Sequence, residues 1–165
     1  MINLQDIRYV RLATRNVEAA TDYARKILGL ELVRREGRYV YLRGDDRDHT
    51  LVYYEGDPSE TTAGFEVRSK DELEAAGAKL DELKLGARRG TREEAEQRRV
   101  EDFVAFRDPS GNNIELVLRP HHSGRRYFPS RDAGITSFSH IGLRTTDPAR
   151  DEDRKSTRLN SSHVK

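Results

Sequence analysis

The chain has 165 residues, enough for one sizeable domain and too few for two of full size. Charged residues make up 36% and hydrophobic ones 35%, yet the formal net charge is only +1, which leaves no footprint for nucleic acid or an anionic membrane surface. Cysteine is absent, no apolar run reaches membrane-spanning length, and MINLQDIRYVRL lacks a signal-peptide pattern, so a cytoplasmic location is expected.

Alternation from Ile7 to Ala13 predicts a strand. Asn16 is then placed to cap a helix in which Val17, Ala20, Ala24, Ile27 and Leu28 recur at helical spacing, with Gly29 as its left-handed stop. Three strand-like runs follow, Glu31–Arg35, Arg38–Arg43 and His49–Tyr54, turned at Gly37 and at residues 44–48. The result is a βαβββ unit.

The unit repeats. Thr62–Val67 reads as a strand, Ser69 with Glu72 as a capping box, and Leu73, Ala76, Leu80 and Leu83 as the buried stripe of a second helix. Gly90–Glu101 is rich in both charges and reads as a solvated loop; the basic run Arg88-Arg89 with Arg98-Arg99 is interleaved with Glu93, Glu94 and Glu96 and makes no nucleic-acid patch. Asp102–Arg107 and Asn113–Leu118 read as a hairpin turned by Asp108-Pro109-Ser110-Gly111-Asn112. Pro120–Thr136 has a linker's composition. A third start then appears, because Ser139-His140-Ile141-Gly142-Leu143 echoes the strand around Tyr9, and Asp147-Pro148 matches an N-cap followed by proline. From Asp153 no apolar stripe follows, and Asp153–His163 resembles, codon by codon, a translated sequencing adapter.

Tandem βαβββ modules resemble the vicinal oxygen chelate superfamily, which includes glyoxalase I, bleomycin-resistance proteins and extradiol dioxygenases. The patterns that carry the resemblance are Asn16-Val17 through Tyr23 with Leu28-Gly29-Leu30, and Asp108–Asn112 before Ile114-Glu115-Leu116. The resemblance implies an α+β fold in which the two modules form one incompletely closed mixed β-barrel. The expected organisation is a domain over 1–119 (module one 7–54, module two 62–119), a linker over 120–136, the start of a second, truncated domain over 137–152, and an artefactual tail over 153–165.

The linker and the Ser-His-Ile-Gly-Leu start are similar to two-domain extradiol dioxygenases, whose amino-terminal domain is a non-catalytic duplicate. That likeness implies a parent enzyme that cleaves a catechol-type aromatic diol with O₂ at an Fe(II) held by two histidines and a glutamate. His140 maps onto the first iron ligand of the intact parent. In the first domain the same positions hold Tyr9, Thr62 and Glu115, and only Glu115, a vestigial ligand position, is a usual ligand for such a metal. Glu115 is expected to face away from the helix-packed side as a solvated or hydrogen-bonded carboxylate. No stoichiometric metal is expected on this chain, no catalytic residue within it, and no nucleic-acid or membrane partner; the resemblance implies a homo-oligomeric parent. His49 reads as a structural strand-edge histidine, and His121 and His122 as solvated linker residues.

Two other readings stay open. One is a metal-free small-molecule-binding module of the bleomycin-resistance type, lined by Tyr9, Tyr39, Tyr41, Tyr53 and Tyr54. The other is a glyoxalase-type metal-dependent isomerase, which the Tyr9 and Thr62 positions disfavour.

Overall fold

A computed structural model describes residues 2–130, 134–137, 139–151 and 159–160. They belong to two compact units, one formed by residues 8–63 with 121–140 and the other by residues 1–7 and 64–120 with 141–165. The short strand β1 (Ile2–Asn3) opens the chain, followed by β2 (Asp6–Thr14), α1 (Val17–Lys26), β3 (Glu31–Glu36), β4 (Tyr39–Arg43) and β5 (Leu51–Glu55). Then come β6 (Thr61–Val67), α2 (Lys70–Glu82), β7 (Arg88–Arg89), α3 (Arg92–Arg98), β8 (Asp102–Arg107), β9 (Asn113–Leu118) and β10 (Leu159–Asn160). The mixed α+β class and the repeated βαβββ order are as the sequence predicts.

In the first unit the strands lie in the order β3-β4-β5-β2, with β2 and β5 parallel and the other pairs antiparallel. Asn16 caps α1 by accepting from the Ala19 N–H at 2.9 Å, and Gly29 takes φ 74 just after it. Ala24 of α1 packs with Leu30, Val40, Leu42 and Leu51, while Leu12, Val17 and Tyr53 close the edge of this cluster. Ile27 departs from the expected stripe: as the C-cap residue it is 57% exposed, because the helical rotation ends before it turns inward. Residues after 120 fasten onto this unit. Asp48 N–H donates to the His121 carbonyl, Ser123 N–H to the Asp46 carbonyl, and Ser130 Oγ to the Gly29 carbonyl.

In the second unit the order is β6-β9-β8-β7. Leu73, Ala76 and Leu80 of α2 are buried as the periodicity predicts. The Ser69 hydroxyl accepts from the Glu72 N–H at 3.2 Å, but the Glu72 carboxylate reaches the Arg68 N–H instead of closing a box on Ser69. The expected solvated loop at 90–101 is corrected: α3 fills it, capped by a reciprocal box in which Thr91 and Glu94 each accept from the other's backbone N–H. Ala95, Arg98 and Val100 are buried there, so the charge density of the segment concealed one inward face.

The hairpin β8–β9 has the predicted bounds, with Gly111 at φ 86 and the Asp108 carboxylate accepting from the N–H groups of Ser110 and Asn112. Residues 148–151 are helical after Asp147, whose carboxylate accepts from the Arg150 N–H at 3.1 Å as an N-cap does. β10 pairs in parallel with β1; the remainder of the expected tail over 153–165 lies outside the described residues. Among the described residues, no helix is long and apolar enough to cross a membrane.

Candidate functional site

Strand alternation decides what each sheet presents opposite its helix. In β8–β9, Val104 pairs with Leu116 on the side of α2, where Val104 lies beside Gly77. Glu115 pairs with Ala105 and therefore projects from the other face, as expected. It is not solvated there. Glu115 is 4% exposed, and Arg98 from α3 grips it with Nε on Oε2 at 2.9 Å and Nη2 on Oε1 at 2.7 Å. The Arg98 guanidinium also lies 4.3 Å from the Phe103 ring centroid and donates to the Glu94 carbonyl. A carboxylate with both oxygens on a buried guanidinium already has its counter-cation. This vestigial ligand position thus holds an arginine ion pair, a partner that the reading of 90–101 as a loop had hidden.

The other mapped positions fare differently. Tyr9 is buried at 1% exposure, its ring stacked on His49 with centroids 5.3 Å apart. Thr62 lies in β6 and is partly exposed. His140 is exposed, with Nδ1 2.9 Å from the Ser139 hydroxyl. His121 and His122 are exposed. Among the described residues, no group of three or more His, Cys, Asp or Glu side chains is disposed to hold a metal ion. Tyr9 and the arginine-paired Glu115 therefore do not fit an iron centre by the chemistry of their own surroundings.

The sheet of the first unit carries a second polar constellation, on the face away from α1. Cross-strand pairing puts Tyr39 opposite Tyr54 and Tyr41 opposite Val52, with Arg11 beside Val52 on the parallel neighbour. A register shift between Leu32 and Arg34 brings Arg34 rather than Val33 opposite Tyr41. Its guanidinium then lies 3.9 Å from the Tyr41 ring centroid, and Nη1 donates to Asp48 Oδ1 at 2.7 Å. The same oxygen is 2.9 Å from His49 Nδ1. His49 sits just before β5 and is 4% exposed, edge-on to Tyr41 at 5.1 Å. Burial pushes its imidazole pKa down, against the pull of Asp48. Burial raises the Asp48 carboxyl, but the His49 and Arg34 hydrogen bonds outweigh that and hold it at about 2. Of the five tyrosines the sequence offers for a cleft, Tyr9, Tyr39, Tyr41 and Tyr54 are on this face, whereas Tyr53 packs on the α1 side.

Comparison with known proteins agrees with this architecture. The chain is 29% identical over 156 residues to a biphenyl-2,3-diol 1,2-dioxygenase from Sphingomonas paucimobilis, covering 89% of this chain and 52% of that protein. It is 28% identical over 152 residues to an iron-dependent extradiol dioxygenase from Rhodococcus jostii (strain RHA1), covering 88% and 51%. The chain thus spans about half the length of the curated relatives it matches. Its fold superimposes on BphC, a halotolerant catechol dioxygenase, with a TM-score of 0.84 at 21% identity, covering 96% of this chain and 56% of that one. A catechol 2,3-dioxygenase follows with a TM-score of 0.71 at 26% identity, covering 78% and 45%. The sequence profile of one family matches residues 6–116, and on that match the chain belongs to the Glyoxalase/Bleomycin resistance protein/Dioxygenase superfamily.

Proposed function

We propose that this chain is the non-catalytic amino-terminal domain of an iron(II)-dependent extradiol dioxygenase that cleaves catechol-type aromatic diols with O₂. The observation that carries the reading is the half-length match to proteins of that class, joined to a Glu115 whose charge is spent on Arg98. His140 is the first iron ligand of the intact enzyme in this reading, and a further histidine and a glutamate come from a following domain. The parent is a cytoplasmic homo-oligomer, and its substrates are the diol and O₂.

The test has two arms. The genomic reading frame is followed past Arg150, where the proposal expects a second domain with another histidine and a glutamate ligand; a stop codon there sinks it. The purified chain is also incubated with ferrous iron and 2,3-dihydroxybiphenyl. No ring-cleavage absorbance and no stoichiometric iron are expected, and one bound iron per chain overturns the non-catalytic assignment.

A further inference from the structure

In the second unit the surroundings of Arg98 match the shape of its side chain as well as its charge. The guanidinium gives Nε and Nη2 to the two oxygens of Glu115, at 2.9 and 2.7 Å, and Nη1 to the Glu94 carbonyl at 3.1 Å. All three nitrogens of the fork therefore meet an oxygen. The guanidinium carbon lies 4.3 Å from the Phe103 ring centroid, and Gly90 leaves room for that ring, since a Cβ there would collide with it. Arg98 and Glu115 are both buried, so this pairing is made largely out of reach of solvent.

The same surroundings suit a metal ion poorly. The Glu94 carboxylate is taken up by both Nη atoms of Arg88 and by the Thr91 N–H. Among the described residues, no group of three or more His, Cys, Asp or Glu side chains is disposed to hold a metal ion. A divalent ion needs several hard donors converging on one point. A bidentate carboxylate, a backbone carbonyl and an aromatic face are instead what a forked, delocalised cation uses.

We propose that the Glu115 position is a guanidinium-binding site, filled in cis by Arg98, and that it selects a forked planar cation over both an ammonium and a divalent metal ion. α3 is the arm that delivers the ligand. Thr91 and Glu94 cap its first turn, and Arg99, at φ 53, ends it one residue after Arg98. Every contact lies within residues 88–115, so the assignment holds whether or not a catalytic domain follows, and a stop codon past Arg150 leaves it untouched.

Arg98→Ala in the full chain empties the site and keeps Glu115. Methylguanidinium is the probe, with methylammonium and manganese(II) as counterparts. The thermal midpoint and the amide resonances of Phe103 and Glu115 are followed as each is added. Arg98→Ala is expected to lose stability, and methylguanidinium to raise its midpoint saturably and shift both resonances, while the counterparts do neither. The wild type, its site already filled, should show no such rise, and nor should Arg98→Ala with Glu115→Gln, which lacks the anion. If Arg98→Ala does not fold under any of these conditions, Arg98→Lys decides. Its ammonium keeps the charge without the fork, so its urea midpoint is expected to fall clearly below that of the wild type. An Arg98→Lys protein as stable as the wild type overturns the proposal. So does a folded Arg98→Ala protein that ignores methylguanidinium, or one that responds equally to methylammonium or manganese(II).

Discussion

Replacing Glu115 by glutamine leaves the Arg98 guanidinium charged, buried and only half satisfied. Removing one partner of a buried pair costs about 3–5 kcal/mol, whereas replacing both with apolar side chains of similar volume is close to neutral. Glu115→Gln is therefore expected to lower the urea midpoint sharply, and Arg98→Met with Glu115→Leu to restore most of it. The Asp48–His49 pair makes a pH prediction. Because burial lowers the His49 pKa, the folded state binds fewer protons than the unfolded one below the ordinary value of 6.5. Its stability contribution is complete above that pH and declines as pH falls toward the folded pKa. Asp48 adds a second loss, present above its ordinary 3.8 and removed as pH falls toward about 2. Urea midpoints measured from neutral pH downward should begin to fall near 6.5, and His49→Gln should flatten that first segment while leaving the acid-limb decline of the carboxylates.

At the scale of elements, α3 shows how a helix of seven residues survives between two strands. So short a helix has little intrinsic stability, and its capping box and inward face supply the difference. Thr91→Ala removes one half of the box and is expected to cost about 1 kcal/mol in chemical denaturation. Upstream, Gly90 hydrogen-bonds to Phe103 across the sheet, and a Cβ built there collides with the Phe103 ring, itself fully buried. Gly90→Ala should thus destabilise more than Thr91→Ala, and near-ultraviolet circular dichroism should register the displaced aromatic packing. The capping pattern Thr91-x-x-Glu94 was present in the sequence, but the surrounding charge masked it. The register shift in β3 was not legible at all: a bulge is set by cross-strand pairing, and no local residue pattern announced that Arg34 would replace Val33 opposite Tyr41.

Across the whole molecule, the Asp-Pro-Ser-Gly-Asn turn joins segments far apart in the chain. Asn112 donates through Nδ2 to the Arg144 carbonyl at 2.8 Å and accepts from the Arg144 N–H at 3.2 Å, as a backbone amide in a strand ladder does. Ser110 Oγ accepts from the Thr146 N–H and from Arg150 Nη2 and donates to Asp151. The same turn that reverses the hairpin therefore holds residues 144–151. Asn112→Ala is expected to accelerate amide hydrogen exchange at Arg144 and Thr146 while leaving β8 and β9 protected, because the Asp108 turn bonds remain. Equal exchange at those amides in both proteins would show that the turn does not restrain the segment.

By itself, the sequence determined the duplicated βαβββ order, both long helices with their caps, the DPSGN hairpin and the family, because these rest on local periodicity, capping chemistry and turn residues. Tertiary structure alone decided where the charges went. Arg98 closing on Glu115, and Arg34, Asp48 and His49 meeting among tyrosines, depend on which strand faces which and on an unforeseen helix and bulge. Charged residues are written in sequence with a solvated default, and only packing reveals which of them lose their water and must find partners.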